Sequence, residues 1–200
     1  MKKIISSTLV LCIITLVAGL CLALVYEVTK EPIRAAEEKA ALAAYESIFT
    51  DATFETQELK AFEAEGATVE KVAVAKSGDK TLGWALTVTS HEGYGGDITL
   101  AMGVSADGTL IGISVITQGE TAGLGAKCKD PAFAERFAGI LGGVVTLVKT
   151  EPQNPGEVQA ISGATVTSKA VIGAVNAGLE YVNVNYLGGT AQHAEEVSAP

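Results

Sequence analysis

Residues 98–117, ITLAMGVSADGTLIGISVIT, decide the fold class of this 200-residue chain. Every second residue from Ile98 to Val104 is apolar, a period of two that is typical of a strand with one buried face. Asp107-Gly108 favours a tight hairpin turn, and residues 110–117 after it form a second β-prone run. Two strands joined by so short a turn are antiparallel. The stretch therefore predicts an antiparallel sheet.

Further strands are predicted on both sides of this hairpin. Residues 68–76 alternate between apolar and polar side chains, and residues 82–90 are β-prone. Residues 144–149 predict another strand nearer the C-terminus.

Helices flank the predicted strands. Pro32 favours the first turn of a stalk helix, and the Asp-Pro pair at 130–131 predicts the cap and first turn of a helix that reaches Leu141. Apolar residues spaced by three and four predict a last helix over about residues 167–186, which the glycine pair at 188–189 ends. We therefore expect an α+β domain, with an antiparallel sheet and flanking helices.

An uncharged stretch of 23 residues, 4–26, predicts a transmembrane helix. A removed signal peptide is the alternative, but its apolar core would span only about 7–15 residues before a small-x-small cleavage site. Lys2 and Lys3 abut the stretch, which favours a cytoplasmic N-terminus and a main domain on the outer, extracytoplasmic side of the cell membrane. The predicted boundaries are 1–26 for the inner start and the span, 27–66 for a stalk or linker helix, 67–187 for the outer domain and 188–200 for a mobile tail.

Composition and charge exclude several functions. The chain has 14 Lys and Arg against 23 Asp and Glu, a net charge of −9, which leaves no basic face for nucleic acid. Its three cysteines rule out a disulfide scaffold, and no Cys-x-x-Cys suggests a zinc or redox site. Neither His91 nor His193 stands in a pattern that suggests a hydrolase. We expect neither a catalytic residue nor a metal site.

The segment 161–168, ISGATVTS, lies directly before the last predicted helix. Its four hydroxyl side chains and its glycine stand where the backbone N–H groups of the first helical turn are free, an arrangement that binds phosphate. The alternative is ordinary capping, in which Thr165, Thr167 or Ser168 bonds the helix end.

Two more glycine-rich stretches do not look like ordinary hairpins. In the 117–127 loop, TQGETAGLGAK, three glycines in seven residues let the backbone approach a flat ligand closely. The 93–97 turn, GYGGD, carries an aromatic residue that could cover a ring. A mobile surface loop and a turn with a solvated tyrosine are the respective alternatives.

Taken in order behind one span, the GYGGDI, ETAGLGAK and SGATVTS stretches resemble the FMN-binding domain family. Within it the chain is similar to the G subunits of Rnf electron-transport complexes, and more distantly to the C subunit of the sodium-pumping NADH:quinone reductase. The family carries FMN covalently, through a phosphoester to the Thr that ends its SGAT motif. The resemblance therefore implies covalent FMN on Thr165.

The resemblance also assigns roles to other residues. Those that would shape the phosphate site are Ser162, Gly163, Ala164 and Thr167, and those that would border the isoalloxazine ring are Tyr94, Glu120, Thr121 and Leu124. Gln159 stands where the family's flavin transferase prefers Asp, and Ala122 replaces a frequent Pro in the ring-side loop. Neither departure removes the hydroxyl that would carry the flavin.

The implied function is that of an electron-transfer flavoprotein in a membrane ferredoxin:NAD+ oxidoreductase that couples electron flow to Na+ or H+ translocation. The implied partners are the other proteins of the Rnf complex, which are the membrane-embedded A, D and E subunits and the peripheral B and C subunits, together with a flavin transferase. The alternatives are a non-redox outward binding or assembly module, and the C subunit of a sodium-pumping NADH:quinone reductase.

Overall fold

A long N-terminal helix precedes the folded domain. The computed structural model describes residues 2–60 and 62–189, with side chains from residue 8 onward. Helix α1 (Lys2–Ile48) is continuous, and the chain divides into two compact units after Ala40. By length and composition α1 can cross a membrane, and its apolar side chains from Leu9 to Val28 are exposed in the first unit.

The prediction that a new helix begins at Pro32 was wrong, because Pro32 lies inside α1. Proline removes one backbone hydrogen bond, the one to the carbonyl four residues earlier, at Val28. Val28 is exposed on the surface of the helix, where other groups can satisfy its carbonyl. Nothing in residues 27–31 otherwise interrupts the helical pattern, so the helix passes through.

A seven-stranded antiparallel sheet forms the centre of the second unit within the described residues. Strands β3, β4, β5 and β6 pair in chain order, β7 pairs with β6, and both β1 and β2 pair with the outer edge of β3. The strands are β1 (Thr53–Thr56), β2 (Glu63–Ala64), β3 (Ala67–Ser77), β4 (Lys80–Ser90), β5 (Ile98–Ser105), β6 (Thr109–Thr117) and β7 (Ile140–Leu141). The hairpin prediction is confirmed, since β5 and β6 meet around Asp107-Gly108.

One face of the sheet holds the main core. The alternating residues from Ile98 to Val104 are all at most 1% exposed, as the period of two predicts. They pack beneath helix α3 (Thr165–Val182), whose residues 170–179 are all buried. Burial of this helix on nearly all sides holds its first turn firmly on the domain.

The opposite face of the sheet is lined by small side chains. Ala75, Ala85 and Ala101 pack against Tyr45 and Phe49, at and just beyond the end of α1. Alanine leaves room for a helix to lie close to the strands.

A buried hydroxyl pair also joins the end of α1 to this second face. The phenolic oxygen of Tyr45 lies 2.6 Å from Thr87 Oγ1, within hydrogen-bond distance. Residues 53–56 and 63–64, inside the range assigned to a stalk, contribute β1 and β2 to the sheet.

The helix predicted from 131 to Leu141 was also wrong. Helix α2 (Pro131–Ala134) is followed by a 3-10 turn, Glu135–Phe137, and Leu141 belongs to β7. The Gly139 N–H donates to the carbonyl of Leu110 at 2.8 Å, so pairing with β6 takes the place of a further helical turn.

The last helix begins two residues earlier than predicted, at Thr165. After Val182 it widens into a π-helical turn, Asn183–Leu187, and ends at Gly188 as predicted. Before it, β8 (Thr146–Val148) and β9 (Glu157–Gln159) form a small parallel pair. Residues 190–200 of the predicted tail lie outside the described residues.

Candidate functional site

The three glycine-rich stretches, far apart in sequence, meet around the side chain of Glu120. The Gly95 N–H of the 93–97 turn donates to Glu120 Oε1 at 3.0 Å. The Thr167 hydroxyl, in the first turn of α3, donates to Oε2 at 2.7 Å. Glu120 is only 9% exposed and Thr167 is buried. One carboxylate therefore ties the 93–97 turn and the 117–127 loop to the start of α3.

Gly125 shows how closely these parts approach each other. A Cβ at Gly125 would clash with Glu120 Oε2 and would lie 2.5 Å from Thr167 Oγ1. Any larger residue would separate the loop from the helix start. The need for a glycine at position 125 therefore comes from close packing and not from loop mobility.

The start of α3 is held by a buried serine rather than by a side-chain cap. Ser168 Oγ accepts from the Ile161 N–H at 2.9 Å and donates to the Ala164 carbonyl at 2.8 Å. Ala164 occupies the N-cap position, and no side chain in the described part of the chain caps the helix. The capping alternative for the hydroxyls of segment 161–168 is therefore wrong.

Thr165, the first residue of α3, is exposed, and its hydroxyl has no partner among residues 8–60 and 62–189. The backbone N–H groups of Thr165, Val166 and Thr167 likewise find no acceptor within the described part of the chain. Free first-turn N–H groups and the positive end of the helix dipole are the features that bind a phosphate.

Exposed apolar side chains lie on the same three stretches. Tyr94 is 75% exposed, Leu124 46% and Val166 49%. Leu124 reaches the segment 161–168, because a Cβ at Gly163 would lie 3.2 Å from Leu124 Cδ2. The structure thus brings Leu124 to Gly163 and Glu120 to Thr167. Ser162 and Thr121 are exposed, and within the described residues no side-chain hydrogen bond joins either of them or Tyr94 to Thr165.

Sequence reasoning missed Gly95 and Gly125 as parts of the site, as well as the inward direction of the Glu120 side chain. The available signal was an acidic residue within a glycine-rich loop. That signal does not identify which N–H or hydroxyl the carboxylate meets.

The electrostatic surroundings of Glu120 include the buried thiol of Cys128. Burial raises the pKa of this thiol to about 11, and the negative charge of Glu120 adds to the rise. Cys128 is a free cysteine. Because its pKa lies well above neutral pH, the thiol stays protonated and unreactive there.

A separate cleft of about 590 Å³ lies toward the other end of α3. Asp107, Asn176, Glu180 and Leu187 are among its lining residues, and none of the nine predicted site residues lines it. At the glycine-rich site, Thr165, Tyr94 and Leu124 are exposed.

Two family models match this chain. The FMN-binding domain matches residues 93–180, which include all three glycine-rich stretches, and the RnfG N-terminal region matches residues 1–48. Fold, site and match together define an FMN-binding domain that follows a long apolar helix.

Relatives extend this match over nearly the whole chain. The G subunit of the Na+-translocating ferredoxin:NAD+ oxidoreductase complex of Acetobacterium woodii is 32% identical over 196 residues, 92% of this chain and 94% of the relative. The G subunit of the ion-translocating oxidoreductase complex of Cereibacter sphaeroides is 31% identical over 206 residues, covering 97% and 87%. The chain belongs to the family of G subunits of these ion-translocating oxidoreductase complexes.

A solved structure is also similar. It is the C subunit of the Na+-translocating NADH-quinone reductase from Parabacteroides distasonis, with a TM-score of 0.49 and 26% identity over 64% of this chain and 77% of that one.

Proposed function

We propose that this chain is the electron-transfer flavoprotein of an ion-translocating ferredoxin:NAD+ oxidoreductase complex, and that it carries FMN as a phosphoester on Thr165. The observation that carries the proposal is the Thr165 hydroxyl. It is exposed and without a partner among the described residues, and it stands at the first position of α3 within the FMN-binding domain.

The residues around Thr165 fit a phosphate and a flat ring. The free first-turn N–H groups would receive the phosphate, and the helix dipole favours the single negative charge that a phosphodiester keeps. Ser162 and Gly163 would lie beside that phosphate. Exposed Tyr94 and Leu124 would offer apolar surface to the isoalloxazine ring.

FMN supplies the one- and two-electron redox chemistry when bound, and this chain holds and orients it. A threonine hydroxyl is a weak nucleophile unless a neighbouring base takes its proton. Thr165 has no such hydrogen-bonded base within the described residues. The proposal therefore assigns formation of the phosphoester to a separate flavin transferase, which would supply the base.

The apolar part of α1 would anchor the chain in the cell membrane as a single span. We propose a cytoplasmic N-terminus and the flavin domain on the outer side, supported by Lys2 and Lys3 next to the span. The named relatives belong to multi-subunit complexes, so the proposed partners are the remaining proteins of the Rnf complex.

In-gel flavin fluorescence tests the attachment. Full-length chain would be co-expressed with a flavin transferase, and wild type would be compared with Thr165→Ala, Thr165→Ser and the exposed-hydroxyl control Thr150→Ala. We expect fluorescent bands for wild type, for Thr165→Ser and for the control, and a dark band for Thr165→Ala. A fluorescent Thr165→Ala band would move the attachment to another hydroxyl. Dark bands throughout would mean that flavin is bound noncovalently or not at all, and would favour a non-redox binding module.

A further inference from the structure

Glu120 is a buried acidic side chain with a limited set of partners. Its two oxygens accept from Gly95 N–H and Thr167 Oγ1, which are neutral donors. Within the described residues no cationic side chain lies within ion-pair distance of it. Burying a carboxylate without a cation is costly, and hydrogen bonds offset only part of that cost. The arrangement therefore calls for a role beyond packing.

These bonds link the first turn of α3 to the 93–97 turn through a single side chain. Thr167 is two residues after Thr165 in the first turn of α3, so fixing its hydroxyl fixes the orientation of that turn. Gly95 belongs to the 93–97 turn, and Glu120 begins the ring-side part of the 117–127 loop. The Gln118 side chain accepts from the Glu120 N–H at 2.5 Å, which holds the backbone at the same point.

We propose that Glu120 is a positioning residue for the flavin site. Its carboxylate joins the first turn of α3 to the 93–97 turn, so that the hydroxyl of Thr165 and the two glycine-rich stretches are held in one fixed arrangement. This inference rests on the proposed function. The role it assigns to Glu120 is to present the Thr165 hydroxyl to the transferase and to hold the 93–97 turn and the 117–127 loop where they would border the isoalloxazine ring.

Three variants test whether the two hydrogen bonds of Glu120 position the site, or whether any side chain at this position would serve. Glu120→Ala removes both bonds. Glu120→Gln keeps both, because its amide oxygen accepts from Gly95 N–H and its amide NH2 donates to the Thr167 hydroxyl. Gly125→Ala leaves both partners in place and inserts a methyl group between Glu120 and Thr167. Gly112→Ala is the matched control, because a Cβ there meets nothing within 4 Å.

The measurement is the rate of covalent flavin attachment by purified transferase to the full-length chain in detergent. Circular dichroism would confirm that each variant is folded at the assay temperature. We expect kcat for attachment to fall at least about tenfold in Glu120→Ala and Gly125→Ala, with KM for the chain nearly unchanged. Glu120→Gln and Gly112→Ala should stay within about threefold of wild type.

Each outcome supports or overturns the inference. Attachment at the wild-type rate in folded Glu120→Ala or Gly125→Ala overturns it, and so does a tenfold loss in Glu120→Gln. If Glu120→Ala and Gly125→Ala do not fold, Thr167→Val decides, because it removes one of the two bonds and keeps the side-chain shape. A wild-type rate in Thr167→Val then overturns the inference, and a severalfold slower rate supports it.

Failure of the proposed function has a different signature. In that case wild type takes up no flavin, or Thr165→Ala takes up as much as wild type, and both proposals fall. A fluorescent wild type, a dark Thr165→Ala and an unaffected Glu120→Ala leave the function standing and reject the positioning role alone.

Discussion

Replacing Asn176 by Leu should cost much of the stability of the flavin domain. Asn176 lies in the middle of α3 and is 8% exposed. Its Oδ1 accepts from the Val145 N–H at 2.8 Å, and its Nδ2 donates to the Val145 carbonyl at 3.1 Å. Leucine has the same branched shape but cannot make either bond, so the polar backbone groups of buried Val145 lose their partners.

The magnitude follows from these two bonds. A buried backbone group left without a partner costs about 1–3 kcal/mol, so two give about 2–6 kcal/mol. A third bond, from Nδ2 to Glu65 Oε2, is longer at 3.3 Å and reaches an exposed carboxylate, so it adds little. A loss of this size is a large part of the total stability of a small domain, which is about 5–15 kcal/mol.

Urea unfolding of the full-length chain in detergent would measure the loss. Trp84 is the sole tryptophan, is 8% exposed and stacks on Tyr186, so its fluorescence reports on the domain and not on the apolar helix. Asn185→Leu is the control, because the Asn185 side chain donates to the Tyr181 carbonyl from a half-buried position. If Asn176→Leu destabilises the domain no more than Asn185→Leu does, the assignment of a buried backbone clamp is refuted.

Two other predictions concern the site. Gly163→Ala should destabilise the chain by about 1–2 kcal/mol in the same unfolding assay, because the backbone there has φ +77°, a conformation that L-residues adopt at a cost; an unchanged midpoint would contradict this. Cys128 should react with maleimide at pH 8 only on unfolding, because burial raises its pKa to about 11. Mass spectrometry of the Cys128 peptide would measure the labelling, and labelling in the native state would contradict this reasoning.

Much of the sheet could be predicted from the sequence, because its signals are local. The period of two from Ile98 to Val104 and the turn at Asp107-Gly108 each lie within a few residues, and strand pairing follows from the short connection. The apolar repeat of α3 was equally local, so its buried face was correct although its first residue was two positions off.

The two helix predictions that were wrong failed for different reasons. Pro32 matched a helix start locally, but the residues before it also favour a helix, and α1 runs through. The Asp-Pro pair at 130–131 does begin a helix, yet pairing of Ile140 with Leu110 ends the helical path early. Propensity is a weak prior that such tertiary contacts override.

The position of the candidate attachment residue Thr165 could be predicted from the SGAT motif. The hydrogen bonds that hold the parts of the site together could not. Gly95 is 25 residues from Glu120, and Thr167 is 47 residues from it, so no local pattern reports that they meet. Only the folded sheet and helix bring these groups together. The same holds for Asn176 and Val145, which are separated by 31 residues.

The exposure of apolar side chains at the candidate site gives the proposed covalent bond a physical purpose. Pockets that hold a small molecule by contacts alone bury about 70–90% of its surface. On the three glycine-rich stretches Tyr94 is 75% exposed, Leu124 46% and Val166 49%, so contacts with these side chains alone would hold a flavin weakly. A phosphoester prevents dissociation without enclosing the ring. The ring edge can then stay accessible to redox groups of neighbouring proteins in the complex, while the buried helix α3 and the Glu120 bonds fix the point from which it is held.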